Sequence, residues 1–110
     1  MNVVVSIPAY NEEATIAAVV RKIKEVLGKH RNYSYRILVV DDGSTDRTAE
    51  VAKAEGAHVY SHPKNYGLAE TFRTEIQQFL QLKPEADAMV HIDADGQYKA
   101  EEIPSLLKKI

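Results

Sequence analysis

The chain has 110 residues and a mass of 12.3 kDa, which allows one domain or a part of one. Its formal net charge is −2, so it has no basic field for a nucleic acid. It has no cysteine, which excludes disulfides and thiolate metal sites and disfavours structural zinc. No apolar run reaches the roughly 18 residues of a membrane span. We expect a cytoplasmic location and leave membrane association of the full-length protein open.

Short runs of β-branched and other apolar residues predict strands that are buried on both faces of a parallel sheet. The strong runs cover 3–7, 36–40 and 88–92, and a weaker strand is predicted at 58–60. Because these runs show little polar alternation, we expect helices to cover both faces of the sheet.

Helical periodicity predicts four helices, the first from a cap at Asn11 to about residue 27 and the others at about 46–55, 68–82 and 101–110. Asn11 is expected to cap the first helix, with Glu12 and Glu13 in its first turn. Gly56 is expected to end the second helix in a left-handed conformation. Strands and helices alternate, so the predicted fold is α/β, with an open, mostly parallel sheet and right-handed crossovers.

Five of the six aspartates follow two of the predicted strands, and these are Asp41, Asp42, Asp46, Asp93 and Asp95. The segment 8–13 follows the first strand in the same way. In an open α/β sheet, ligands bind outside the carboxyl ends of the strands. We therefore predict a polar ligand site at this edge.

Aspartates at strand-to-helix junctions also serve as caps and turn formers, and we interpret Asp46 as a cap. A purely structural role is the alternative for the pair Asp41 and Asp42. Asp93 and Asp95 are two residues apart at a strand end, so their side chains point the same way and can converge on one cation. Two carboxylates with open positions suit magnesium or manganese, which would let an acidic crevice accept a diphosphate.

Other residues carry weaker signals. Gly67 opens the third helix, where backbone amides could face an anion, although a plain turn glycine is an equal alternative. Lys64 and Arg73 could meet phosphate or be solvated. Tyr10 could stack on a base. His91 is interpreted as a hydrogen-bonded core residue, and no histidine is predicted to act as a base. The chain has neither the GxGxxG fingerprint nor a P-loop.

Four segments occur in an order that resembles the inverting, nucleotide-sugar-dependent glycosyltransferases of family 2, of the GT-A fold, close to dolichol-phosphate mannose and glucose synthases. The segments are 5–13 (VSIPAYNEE), 39–46 (VVDDGSTD), 65–68 (NYGL) and 91–98 (HIDADGQY). Together they span nearly the whole chain. The resemblance implies the strand order 3-2-1-4.

The resemblance also implies roles for individual residues. Those that would bind the nucleotide sugar are Pro8, Ala9, Tyr10, Glu12, Asp41, Asp42, Gly67, Asp93 and Asp95. Asp42 would accept a hydrogen bond from a base N–H. Asp93 and Asp95 would be the metal-binding DXD pair, with Asp95 more directly on magnesium or manganese and Asp93 nearer the ribose or a metal-bound water. Thr71 and Glu75 depart from the family pattern, because many relatives have small residues there.

In the family, an acceptor-binding half with the general base follows the DXD loop. The chain resembles only the nucleotide-sugar-binding half, so we expect residues 1–110 to form one truncated subdomain without a catalytic base. The expected function is sugar transfer to an unidentified acceptor, a lipid phosphate or a glycan, and we expect no transfer by the chain alone. The fourth strand would then be an open edge, which predicts a homo-oligomer joined through that edge.

Two alternatives come from other classes of protein. The first is a non-catalytic module, or a subunit of a complex, that binds a nucleoside diphosphate or a metal. The second is an acidic signalling receiver domain, which also combines paired aspartates with magnesium. It fits less well, because the pair Asp41 and Asp42 follows the second predicted strand, whereas a receiver has its acidic pair after the first.

Overall fold

The structure, a computed structural model, describes residues 2–30, 33–81, 86–94 and 103–104. The strands are β1 (Asn2–Ala9), β2 (Ser34–Asp41), β3 (His58–Ser61) and β4 (Ala88–His91). The helices are α1 (Ile16–Gly28), α2 (Thr48–Ala54) and α3 (Leu68–Gln81). Of the predicted fourth helix only residues 103 and 104 are described, and both are helical. Asp95 lies outside the described residues.

The four strands form one parallel sheet in the order β3-β2-β1-β4, which confirms the predicted fold class and strand order. In the register of β1 with β2, Ala9 lies opposite Asp41, so both strands end at the same level. Ser6 of β1 lies opposite His91 of β4. The loops after β1, β2 and β4 therefore meet at one edge of the sheet, as the sequence predicts.

The hydrophobic core has a layer on each face of the sheet. On one face, α1 and α2 pack against alternate residues of β1 and β2, in a cluster that includes Val5, Ile7 and Val39. On the other face, α3 packs on β1 and β2 over a smaller cluster that includes Val4 and Val40. This arrangement confirms that β1 is buried on both faces, because its apolar side chains supply both clusters.

The start of α1 differs from the prediction. The helix begins at Ile16, and Asn11 does not cap it but adopts a left-handed conformation with φ of 52°. Its Oδ1 accepts a hydrogen bond from the Thr45 backbone N–H at 2.9 Å, so the Asn11 side chain joins the loops after β1 and β2. Glu12 lies in the turn before the helix. The end of α2 is as predicted, with Gly56 following at φ 93°.

Helix α3 turns its polar side towards the sheet. Thr71, Thr74 and Glu75 are its buried residues. The large apolar residues on its outer side are exposed, and they are Leu68, Phe72, Ile76 and Leu80. The sequence predicts the apolar repeat of this helix, but the polar side is buried because its side chains have hydrogen-bond partners on the sheet and on the loop after β3.

Candidate functional site

A cleft of ≈ 410 Å³ opens at the carboxyl edge of the sheet. It lies between the loop after β1, the loop that joins β3 to α3 and the residues after β4. The predicted binding residues that line it are Pro8, Ala9, Tyr10, Glu12, Asp42, Gly67 and Asp93. The structure therefore brings together residues from the segments that follow the strands, as predicted for this edge of the sheet.

The wall after β1 is held by hydrogen bonds to the loop after β2 and to the first residue of α2. The Asn11 backbone N–H donates to Ser44 Oγ at 2.9 Å, and the Glu12 backbone N–H donates to Thr48 Oγ1 at 2.9 Å. Tyr10 lies just before these anchors and is 44% exposed. Its aromatic ring is thus available for stacking at the mouth of the cleft, on a loop whose backbone is fixed.

Asp42 is a buried anion at the base of the cleft, with only 5% of the residue exposed. Its Oδ1 accepts hydrogen bonds from His62 Nδ1 at 2.8 Å and from the Tyr66 backbone N–H at 2.9 Å. Its Oδ2 accepts one from the Gly67 backbone N–H at 2.9 Å. Burial by itself would raise the pKa of Asp42, but the bonds from His62, Tyr66 and Gly67 outweigh it and the pKa lies below its usual value.

The Gly67 amide at the start of α3 was predicted either to face an anion or to belong to a plain turn. In the structure it faces an anion, the Asp42 carboxylate. The anion at this helix end is therefore supplied by the chain itself. Since Oδ1 already accepts two hydrogen bonds and Oδ2 only one, Oδ2 retains an acceptor position for a ligand.

His62, which was not predicted from the sequence, is a hydrogen-bond partner of Asp42 on the side away from the cleft. The ring is buried and connects two elements, because Nδ1 contacts Asp42 and Nε2 lies 2.8 Å from Thr74 Oγ1 of α3. The Thr74 hydroxyl also contacts the Glu70 carbonyl oxygen at 3.1 Å. A usable signal was present, since His62 directly follows β3, the strand next to the one that ends at Asp41.

Asp41 does not line the cleft, in contrast to the role that the resemblance implied. Its Oδ1 accepts a hydrogen bond from the Ser44 backbone N–H at 3.0 Å, and its Oδ2 accepts one from Ser61 Oγ at 3.2 Å. Asp41 therefore closes the turn after β2 and links β2 to β3. Asp46 accepts a hydrogen bond from the Thr48 backbone N–H at 2.9 Å, so it forms a local turn before α2, whose N-cap position is Arg47.

Glu75 is a second buried carboxyl group, below the cleft on α3, and it is 0% exposed. Its Oε1 accepts a hydrogen bond from Ser6 Oγ at 2.8 Å, and its Oε2 lies 2.9 Å from His91 Nδ1. Burial raises the pKa of Glu75, and the bonds to Ser6 and His91 oppose that effect. The sequence predicted that His91 is hydrogen-bonded, which is confirmed, and that it is a core residue, which is wrong because its side chain is 36% exposed.

Asp93 is the described member of the predicted metal-binding pair. Its side chain is 68% exposed, and its Oδ1 lies 3.9 Å from His91 Nε2. Its carboxylate is a hard oxygen donor open to the cleft, which fits magnesium or manganese completed by water and phosphate oxygens. Within the described ranges, no group of three or more His, Cys, Asp or Glu side chains is arranged to hold a metal ion. The second predicted ligand, Asp95, lies outside these ranges.

None of the described helices combines the length and the apolar character that crossing a membrane requires.

The chain is similar to proteins of one family over nearly its whole length. Residues 4–110 match the family described as glycosyl transferase family 2. The uncharacterized protein MJ1222 of Methanocaldococcus jannaschii is 37% identical over 106 residues, which are 96% of this chain and 40% of that protein. The resemblance to dolichol-phosphate sugar synthases stays a prediction.

Two solved structures share the fold and part of the sequence. Glucosyl-3-phosphoglycerate synthase from Mycobacterium tuberculosis, in complex with Mn²⁺, UDP and glucosyl-3-phosphoglycerate, is 30% identical with a TM-score of 0.75, and the match covers 97% of this chain and 38% of that one. Mannosyl-3-phosphoglycerate synthase from Rubrobacter xylanophilus is 27% identical with a TM-score of 0.70, covering 86% of this chain and 31% of that one. The chain thus spans less than half the length of each relative. By its fold, its strand order and the match over residues 4–110, the chain belongs to glycosyl transferase family 2.

Proposed function

We propose that the chain binds the donor, a nucleoside diphosphate sugar, in a glycosyltransferase that uses a divalent cation. The observation that carries the proposal is the cleft, which has the buried Asp42 anion after β2 and the exposed Asp93 carboxylate after β4. β1 lies between these strands, so the two groups are separated by two strand spacings, about 10 Å. That separation suits a base at one end of the ligand and a diphosphate at the other.

In this proposal, the nucleoside binds at the end of the cleft that contains Tyr10 and Asp42. The Tyr10 ring stacks on the base, while Pro8 and Ala9 supply the adjacent wall. Asp42 accepts a hydrogen bond from a base N–H through the acceptor position left on Oδ2. Glu12 and Gly67 complete the lining of the cleft.

Asp93 and Asp95 are the proposed ligands of the cation, which is magnesium or manganese. Support comes from the Mycobacterium tuberculosis synthase, which has been solved with Mn²⁺, UDP-glucose and phosphoglyceric acid and with Mg²⁺ and UDP. The cation, when bound, would stabilise negative charge on the departing nucleoside diphosphate. The residues of this chain bind and orient the donor, and the base that deprotonates the acceptor comes from another part of the protein.

The proposed function also includes an acceptor, the molecule that receives the sugar. The family resemblance favours a lipid phosphate or a glycan, whereas the solved relatives include complexes with phosphoglyceric acid. Each of these molecules can present an oxygen nucleophile to the sugar. Because the relatives are much longer than this chain, we propose that residues 1–110 form one nucleotide-sugar-binding subdomain that performs no transfer without an acceptor-binding part.

Calorimetric titration of UDP in manganese, and again in EDTA, tests the proposal. We expect the affinity for UDP to fall at least about 10-fold in EDTA and in an Asp93→Ala variant, because the diphosphate then meets an acidic cleft without its cation. Asp87→Ala is the matched control, since Asp87 precedes the same strand at the opposite edge and binds the Asn2 backbone N–H. Equal affinity with and without manganese would contradict the proposal. Donor hydrolysis by the full-length protein distinguishes an enzyme from a non-catalytic binding module.

The proposal extends to assembly and location. Among the described strands, β4 pairs only with β1, so its other edge is unpaired there. We propose a homo-oligomer joined through that edge, in the cytoplasm. Light scattering measures the oligomeric state, and a monomer at all accessible concentrations would contradict the first part.

A further inference from the structure

The pair formed by Glu75 and His91 lies beside the proposed cation site and has no part in the function described so far. Glu75 is fully buried, and its two oxygens are used by the Ser6 hydroxyl and by His91 Nδ1. When Glu75 is ionised, its carboxylate only accepts hydrogen bonds, so the proton of the neutral imidazole belongs on Nδ1. The other ring nitrogen, Nε2, then carries a free lone pair.

The ring nitrogen that carries this lone pair lies close to Asp93. Nε2 lies 3.9 Å from Asp93 Oδ1, which is too long for a direct hydrogen bond. The separation is shorter than two metal–ligand bonds of about 2.1 Å laid end to end, so one divalent ion can contact both atoms. The His91 side chain is 36% exposed, which leaves the ring open to solvent beside Asp93, a residue that lines the cleft.

Three elements hold the His91 ring in this orientation. Ser6 and His91 are cross-strand neighbours on β1 and β4, and Glu75 reaches both from α3. Phe72, one turn earlier on α3, packs edge-on against the ring with centroids 5.7 Å apart. Burying a carboxyl group is costly unless it is hydrogen-bonded, so such an arrangement is more than a chance contact.

We propose that His91 Nε2 is a ligand of the divalent cation together with Asp93, and that Glu75 is the positioning residue that orients the His91 ring. A carboxylate that accepts the second ring N–H of a metal-binding histidine is a common arrangement, and it makes the histidine a better ligand. The inference rests on the proposed function, because it concerns the cation of the donor site. Manganese, which takes the same carboxylate and water ligands as magnesium, is the cation used in the test.

Pulsed electron paramagnetic resonance of Mn²⁺ bound with UDP tests this assignment. We expect an echo modulation from a directly bound ¹⁴N, which changes when the wild-type protein is prepared with ¹⁵N-histidine. His91→Gln should remove the modulation. His58→Gln is the matched control and should retain it, because His58 is an exposed residue of β3. Glu75→Gln should keep the modulation and weaken Mn²⁺ affinity by about 10-fold or more.

The outcomes separate this inference from the proposed function. Binding of Mn²⁺ and UDP without any histidine nitrogen modulation overturns the role of His91 and leaves the donor site in place. Modulation that persists in His91→Gln also overturns it, since another histidine then supplies the nitrogen. If the His91 variant does not fold, the absence of any change on ¹⁵N-histidine labelling of the wild-type protein still overturns the role of His91. Failure of the wild-type protein to bind Mn²⁺ and UDP overturns both proposals.

Discussion

Gly43 occupies the tightest backbone contact among the described glycines. It has φ of 72°, and a Cβ added there would lie 2.2 Å from the Lys64 carbonyl carbon and 2.5 Å from the Asn65 backbone nitrogen. Both neighbours are backbone atoms of the loop between β3 and α3, so no side chain can rotate away to make room. We expect Gly43→Ala to force this loop away from the end of β2.

The expected loss of stability in Gly43→Ala has two sources, backbone strain and overpacking. A left-handed conformation costs a non-glycine residue about 1–2 kcal/mol. Overpacking against rigid atoms adds about 1–3 kcal/mol, so Gly43→Ala should lower the free energy of unfolding by about 2–5 kcal/mol. A domain of this size typically has about 5–15 kcal/mol in total. The variant should therefore be much less stable, or should keep its fold by moving the loop.

Two other glycines provide matched controls, and urea unfolding followed by circular dichroism measures all three variants. Gly56 has φ of 93° but only the Lys24 Nζ at 3.6 Å, so Gly56→Ala should cost the strain alone, about 1–2 kcal/mol. Gly28 has nothing within 4 Å and ends α1, so Gly28→Ala should be neutral or stabilise by up to about 1 kcal/mol. A Gly43→Ala variant as stable as Gly56→Ala, with unchanged UDP affinity, would refute the reasoning.

Two further predictions concern the hydrogen bonds that join Asp42, His62 and Thr74. Asp42→Asn should lower the free energy of unfolding by about 1.5–3 kcal/mol at neutral pH. The pKa of Asp42 is lowered in the folded state, so the stability that its carboxylate contributes is present above about pH 4 and is lost as the pH falls through the folded-state pKa. The unfolding curves of the variant and the wild type should therefore converge in acid. A difference in stability that stays constant with pH would contradict this prediction. Thr74→Val should lower the free energy of unfolding by about 1–2 kcal/mol, because His62 loses a buried hydrogen-bond partner. Thr71→Val is the control and should cost less, since the Thr71 hydroxyl contacts the Gly67 carbonyl oxygen at the start of its own helix. Equal losses of stability in thermal unfolding would contradict this prediction.

The sequence predicted the sheet well because its strands are short apolar runs with unambiguous ends. The apolar runs at 3–7 and 36–40 lie inside β1 and β2, and the polar loops that follow them meet at one edge because parallel strands end together. The start of α1 was predicted less well. Asn11 resembles an N-cap locally, but the loop after β2 offers its side chain better partners, and such a contact is not visible in a linear pattern.

The site was predicted by residue type but not by connectivity. Asp41 and Asp42 are adjacent and chemically identical, yet one closes a turn and the other faces the cleft, because successive side chains near a strand end point to opposite sides. His62 and Glu75 were not predicted as parts of the network, since each obtains its role from residues distant in sequence. A buried charge with a distant partner leaves no periodic signal in the sequence.

The two ends of the cleft follow strands of unequal length, which affects where the sheet opens locally. Tyr10 and Asp42 follow β1 and β2, which pair along eight residues each at the centre of the sheet, whereas Asp93 follows β4, which has four residues and lies at the rim. Local opening begins where the fewest contacts must be broken, so the four-residue edge strands β3 and β4 should detach before the central strands β1 and β2. The cation end of the cleft would then assemble and come apart on its own, faster than the nucleoside end. A donor bound at both ends of the cleft would hold β4 in the sheet. The residence time of the donor would then depend on the rate at which β4 detaches.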